Sequence, residues 1–153
     1  MNTDEIIKKL EETGAILEGH FLLTSGKHSN KYIEKFRVLE NPETLDLVCS
    51  EMARLFEDKG VEIVLSAAIG GILLCGGVGR HLRVKHIFAE RINGELCLRR
   101  GFHLPKGVKV LIVEDIVTTG GSIIELIKLS NHYEADIVGI CSLVDRSLTQ
   151  SNF

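Results

Sequence analysis

Residues 109–122, KVLIVEDIVTTGGS, constrain this chain more than any other stretch. Val110, Leu111, Ile112 and Val113 form an unbroken apolar run, which suits a strand buried on both faces rather than one with a wet side. Two carboxylates follow, Glu114 and Asp115, then Ile116 and Val117, then the small residues Thr118, Thr119, Gly120, Gly121 and Ser122. Beyond them Ile123, Ile124, Ile127 and Leu129 populate a helix that frays near Asn131. A glycine-rich loop entering a helix turns backbone N–H groups toward one point, where they can hold a phosphate. Two carboxylates beside such a cradle suit a ligand that carries hydroxyls, magnesium or both. The plainer alternative is only a capped helix, since any doubly wound α/β protein has strands ending in Asp or Glu followed by Thr, Ser and Gly at a helix N-cap.

The rest of the chain supplies the frame for that stretch. Asn2 or Thr3 can cap a first helix that runs to about Thr13, with Gly14 as its stop. Residues 15–17 and 21–24 read as brief extended segments, and SGKHSNKY (25–32) as a polar turn. Asn41-Pro42 starts a helix, Asn at the N-cap and Pro in the first turn, and apolar spacing carries it until Gly60. Residues 61–65 make a short strand whose exit loop is 66–71, SAAIGG, followed by a helix over 72–82. Residues 85–90 are another strand, and Asn93-Gly94 turns it into a hairpin whose returning arm spans 96–102. That hairpin gathers Arg91, Arg99 and Arg100, either as a solvated basic arm or as a mobile flap bringing cations to an anionic ligand. Residues 136–144 form a last apolar strand ending in Asp145-Arg146-Ser147. Strands alternating with helices predict an α/β fold with a parallel sheet, right-handed crossovers and helices on both faces.

Charge and length narrow the function classes. With 153 residues the chain reads as a single domain. Its 18 Lys and Arg against 21 Asp and Glu leave a net charge of −3, so nothing favours nucleic-acid or anionic-membrane binding. No apolar run reaches the roughly 18 residues of a membrane span, and MNTDEIIKKLEE lacks the order of a signal peptide. The expected location is the cytoplasm. Cys49, Cys75, Cys97 and Cys141 are far apart and form no CxxC or Cys/His cluster, so buried thiols are expected rather than a disulfide framework or zinc site.

Residues 109–122 resemble the signature of the phosphoribosyltransferases of type I fold: four apolar residues, two acids, two apolar residues, then a small Thr/Gly/Ser loop. More narrowly, the chain is similar to the orotate phosphoribosyltransferases of the shorter bacterial and archaeal type. The matching segments are 14–32 (GAILEGHFLLTSGKHSNKY), 66–71, 88–102 (FAERINGELCLRRGF), the signature, and 143–147 (LVDRS). The resemblance implies a type I phosphoribosyltransferase fold, a mostly parallel twisted sheet flanked by helices. It also implies a flexible hairpin flap and a small N-terminal hood from residues 1–35. The implied reaction is transfer of the 5-phosphoribosyl group from 5-phosphoribosyl 1-pyrophosphate (PRPP) to orotate. The implied cofactor is Mg²⁺, carried by PRPP without direct protein ligands, and the implied assembly is a homodimer.

Site roles follow by family position. Glu114 and Asp115 would face the ribose hydroxyls and the charge that develops on the ring. Thr118, Thr119, Gly120, Gly121 and Ser122 would hold the 5-phosphate, Ile116 and Val117 would also bind the donor, and Ala68, Ile69 and Gly70 would receive the pyrophosphate. Arg91 would bind the donor too, and Arg91 with Arg99 would act in catalysis. Thr118, Arg146, Lys27 and Tyr32 would contact orotate, the planar fork of Arg146 suiting a carboxylate. In longer members the flap carries a Lys and His pair, replaced here by Arg91, Arg99 and Arg100. Lys27 stands in for a Lys that many members have where this chain has Thr24. Family members also continue past the Asp-Arg-Ser segment, so a C-terminal hood segment is expected to be absent. The rival readings are a phosphoribosyltransferase for another base and a non-catalytic donor-binding regulator.

Overall fold

The computed structural model describes residues 3–22, 26 and 28–146. The expectations for Asn2, Thr24, Lys27, Ser147 and the tail at 148–153 lie outside them. The chain divides into two compact units, Met1–Val48 and Cys49–Phe153, and passes from one to the other within a single helix.

The first unit begins with α1 (Thr3–Glu12), whose end is held by Thr13, its hydroxyl donating to the Lys9 and Leu10 carbonyls. Strands β1 (Ile16–Leu22) and β2 (His28–Ile33) then pair antiparallel. The segment 28–33 thus corrects the expected polar turn. None of its side chains is fully buried and they give no alternating signal, and the strand is set by backbone pairing with β1. The short helix α2 (Lys35–Glu40), also unanticipated, buries Val38 and Leu39. Asn41 caps α3 (Pro42–Arg54) as expected, its Oδ1 accepting from the amides of Glu43 and Thr44 at 3.0 Å each. That helix stops at Arg54 instead of Gly60. Residues 55–60 continue as turns, with Phe56 and Lys59 N–H donating three residues back instead of four.

The second unit is a five-stranded sheet in the order β5-β4-β3-β6-β7, made of β3 (Ile63–Ala67), β4 (Lys85–Ile92), β5 (Glu95–Leu98), β6 (Lys109–Val117) and β7 (Asp136–Asp145). Every pairing is parallel except the β4–β5 hairpin. Its turn residues Asn93 and Gly94 both have positive φ, 49° and 92°, as a two-residue hairpin turn requires. Helices α4 (Ile72–Leu82) and α5 (Gly121–His132) make the crossovers after β3 and β6.

Val110, Leu111, Ile112 and Val113 of β6 are all 0% exposed, which is why this strand carries no polar position along its length until the acids. Alternate residues serve opposite faces. Leu65, Ile87, Val110 and Ile112 pack with Leu126 of α5 in one core. On the side where α4 packs, the Cys75 thiol donates to the Val64 and Ile87 carbonyls at 3.3 Å. From β3 the chain leaves toward β4, and from β6 toward β7, so the connections diverge between β3 and β6. The open crevice at such a divergence, beyond the carboxyl ends of the strands, is where α/β sheets take ligands.

Candidate active site

The loops that flank this divergence follow β3 and β6. After β6, residues Thr118, Thr119 and Gly120 lead into α5, and Gly120 is the N-cap with φ of 79°. Only a residue without a Cβ adopts that conformation freely. A glycine has no side chain with which to cap, so the first-turn amides of α5, which a helix cannot satisfy internally, remain turned toward the loop. A cleft of about 240 Å³ opens here, and its lining brings together Arg91, Glu114, Ile116, Val117 and every residue from Thr118 to Ser122.

The acid pair is buried at the end of β6, each residue only 6% exposed. Glu114 Oε1 accepts from the Asp115 amide at 3.0 Å, and Asp115 Oδ1 accepts from the Ile116 amide at 2.7 Å. Adjacent residues on a strand point to opposite faces. Glu114 accordingly lines the cleft with α5, while the Asp115 carboxylate lies against Gly70 in the loop after β3. The two carboxylates thus address two neighbourhoods joined through one strand.

That second loop contains Ala68, Ile69 and Gly70. The Ala68 amide donates to the Ala89 carbonyl at 2.8 Å, and the Ala68–Ile69 peptide is cis. Ile69 is 84% exposed, an unusual position for a large apolar side chain. At Gly71 an added Cβ would stand 2.9 Å from the Ser66 Cβ and 3.3 Å from the Ala67 carbonyl oxygen, so the loop is folded closely over its own strand.

The three flap arginines separate. Arg91 lines the cleft. Arg100 lies on the returning arm and is engaged by Glu90 in a two-pronged pair, Nε and Nη2 each 2.8 Å from a carboxylate oxygen. This pair holds the Glu90 carboxyl below its ordinary range and raises the Arg100 guanidinium. Arg99 is exposed on the same arm and is not among the described residues lining the cleft.

Of the residues expected to meet the acceptor, Arg146 follows β7 directly, and its amide donates to the Val117 carbonyl at 2.8 Å, one residue before Thr118. Tyr32 lies on β2 of the first unit, its ring 5.5 Å from that of Phe21. Lys27 is outside the described residues.

Two lining residues escaped the sequence reading, Ile123 and Glu125. The signal for Glu125 was available: four residues beyond Gly121, it shares a helix face with the loop. Among the described residues no three His, Cys, Asp or Glu side chains cluster as a metal cage. The cleft offers open amides and one arginine to an anion, and the buried Glu114 carboxylate to hydroxyls or to a developing cation.

A family model described as a phosphoribosyl transferase domain matches residues 81–152. The chain is 48% identical over 152 residues to an orotate phosphoribosyltransferase of Desulforamulus reducens, covering 99% of this chain and 80% of that one. It is 50% identical over 147 residues to an orotate phosphoribosyltransferase of Chlorobium phaeobacteroides, covering 96% and 76%. Its fold is similar to the crystal structure of orotate phosphoribosyltransferase from Aeropyrum pernix, with a TM-score of 0.75 and 25% identity over 92% of this chain and 81% of that chain.

Proposed function

The chain belongs to the orotate phosphoribosyltransferase family, and from that premise we propose how its crevice performs the transfer of the 5-phosphoribosyl group from PRPP to orotate. The products are orotidine 5′-monophosphate and pyrophosphate, a step of pyrimidine synthesis. The observation that carries the assignment of roles is the cleft at the end of β6, which combines Arg91, Glu114 and the open amides of residues 118–122.

The donor's 5-phosphate binds among Thr118, Thr119, Gly120, Gly121 and Ser122, at the uncapped start of α5, with Ile116 and Val117 setting the depth of the site. The ribose hydroxyls donate to Glu114 and Asp115. As the bond from C1 to pyrophosphate loosens, the ring gains positive charge, and two carboxylates already fixed by backbone amides stabilise it without reorganising. The loop of Ala68, Ile69 and Gly70 receives the pyrophosphate, and Arg91 and Arg99 neutralise it as it departs. Orotate, held through its carboxylate by Arg146 and by Thr118, attacks C1 on the opposite side. No covalent bond to the protein forms.

A divalent metal accords with the activity; Mg²⁺ would be carried by the donor without direct protein ligands and would offset the charge of the departing pyrophosphate. Closure of the β4–β5 hairpin excludes water, which would otherwise hydrolyse the activated ribose. We further propose a cytoplasmic homodimer. Among the described residues no helix is long and apolar enough to cross a membrane, and light scattering tests the dimer.

The test of the activity is the fall in orotate absorbance with PRPP and Mg²⁺, beside calorimetric binding of PRPP. Orotate consumption supports the proposal. Donor binding without turnover, or turnover of another base only, overturns it.

A further inference from the structure

The cleft contains a carboxylate that the reaction above does not use. Glu125 lies one turn into α5 and lines the same space as the phosphate loop. A bare carboxylate facing a site for a multiply charged phosphate ester repels the ligand at short range. Here that charge is matched, because Glu125 Oε2 lies 2.6 Å from Arg91 Nη2. The other terminal nitrogen of Arg91 donates to the Gly94 carbonyl at 2.5 Å. The guanidinium is therefore fixed at two points, one on the turn of the β4–β5 hairpin and one on α5. Arg91 is the only cation among the described lining residues.

Both partners are partly exposed, 45% and 38%, so solvent screens the pair and its contribution to stability is small. Its consequence is orientation. An arginine side chain free to sample its rotamers spreads its charge over a wide volume and loses entropy when a ligand fixes it. Held as it is, Arg91 donates one N–H to Gly94 and meets Glu125 as a close ion pair outside hydrogen-bond geometry, which keeps its other N–H groups for an oxygen ligand.

We propose that Glu125 is a positioning residue for donor binding: it holds the Arg91 guanidinium at the rim of the phosphate cleft and cancels its own repulsion of the donor in doing so. This role rests on the assignment of the cleft to PRPP. Two signs follow. With Arg91 present, loss of the Glu125 charge leaves the guanidinium unanchored and weakens donor binding. With Arg91 absent, Glu125 only repels, and loss of its charge leaves donor binding equal or tighter.

The test is a double-mutant cycle of Glu125→Gln and Arg91→Ala, read by calorimetric binding of PRPP with Mg²⁺ and by steady-state kinetics, with thermal melts confirming folding. Glu125→Gln alone is expected to weaken donor binding about three- to tenfold and to raise the donor KM more than the orotate KM. In the Arg91→Ala background the same change is expected to leave affinity unchanged or improve it. A merely structural part for Glu125 in α5 would lower affinity in both backgrounds. Such an additive loss, or unaltered donor affinity in Glu125→Gln alone, overturns the proposal. Wild-type protein that binds PRPP but does not consume orotate overturns the transferase assignment and leaves the cycle readable. Wild-type turnover with an additive cycle overturns the positioning role alone, and wild-type protein that does not bind PRPP overturns both.

Discussion

Gly70 lies so close to Asp115 that there is no room for a β-carbon between them: a Cβ built on Gly70 would collide with Oδ2 and stand 2.7 Å from Cγ. The contact ties the loop after β3 to the acid edge of β6 across the point where the connections diverge. One carboxylate thereby fixes the distance between the proposed pyrophosphate loop and the proposed ribose site. The glycine is required here for space, not for an unusual φ.

Gly70→Ala should therefore displace either the loop or the carboxylate. The expected result is a loss of donor affinity of tenfold or more, together with a destabilisation of about 1–3 kcal/mol, as overpacking of a close contact costs. Calorimetry with PRPP and a thermal melt measure the two. Wild-type affinity in the variant would show that the loop moves without consequence for the donor.

Asp115→Asn keeps the shape of a side chain that is only 6% exposed and removes its charge. If the charge stabilises the positive ring, kcat/KM should fall by about ten- to a thousandfold, with most of the loss in kcat. Steady-state assays at saturating PRPP separate the two constants. An effect confined to the donor KM would reassign Asp115 to ground-state binding.

Arg146→Ala is expected to raise the KM for orotate by about tenfold or more while the affinity for PRPP changes little, because a planar guanidinium pairs with a carboxylate at two points. Loss of donor affinity without change in the orotate KM would place Arg146 on the wrong substrate.

The thiols give a pH dependence with a definite sign. Burial pushes the Cys75 thiol up to about 12, with only partial offset from hydrogen bonding with the Ser66 side chain and the Ile87 backbone, and burial pushes Cys141 up to about 11. An unfolded thiol ionises near 9, so above that pH the unfolded chain releases protons that the folded chain keeps. The thiols' contribution is intact below about pH 9 and is lost as pH rises through the folded values, at on the order of 1 kcal/mol per pH unit for each group. Urea midpoints at pH 8 and about 10.5 should show this decline, and Cys75→Ala should reduce it. An equal decline in that variant would assign the effect to other groups.

Much of the fold was legible because its signals are local. The apolar run of β6, the Asn93-Gly94 turn and the Asn41-Pro42 helix start each act through residues next to one another, and each forms where the sequence indicates. The segments that differ depend on partners elsewhere. The strand at 28–33 has no apolar alternation and exists through its ladder with β1, and α2 is too short to show a period.

The same division runs through the site. The sequence by itself determined that an acid pair, a small-residue loop and a helix start follow one another, since strand, turn and helix propensities are properties of neighbouring residues. It also determined that Glu114 and Asp115 diverge once β6 forms, because strand side chains alternate. Only the tertiary structure decided what each carboxylate meets, Asp115 against Gly70 of another strand's loop and Glu114 in a cleft shared with Arg91. Only it separated the flap arginines, leaving Arg100 to Glu90 and giving Arg91 to Glu125. Those pairings join segments distant in the chain, and they are fixed by sheet order and helix packing, which no local pattern encodes.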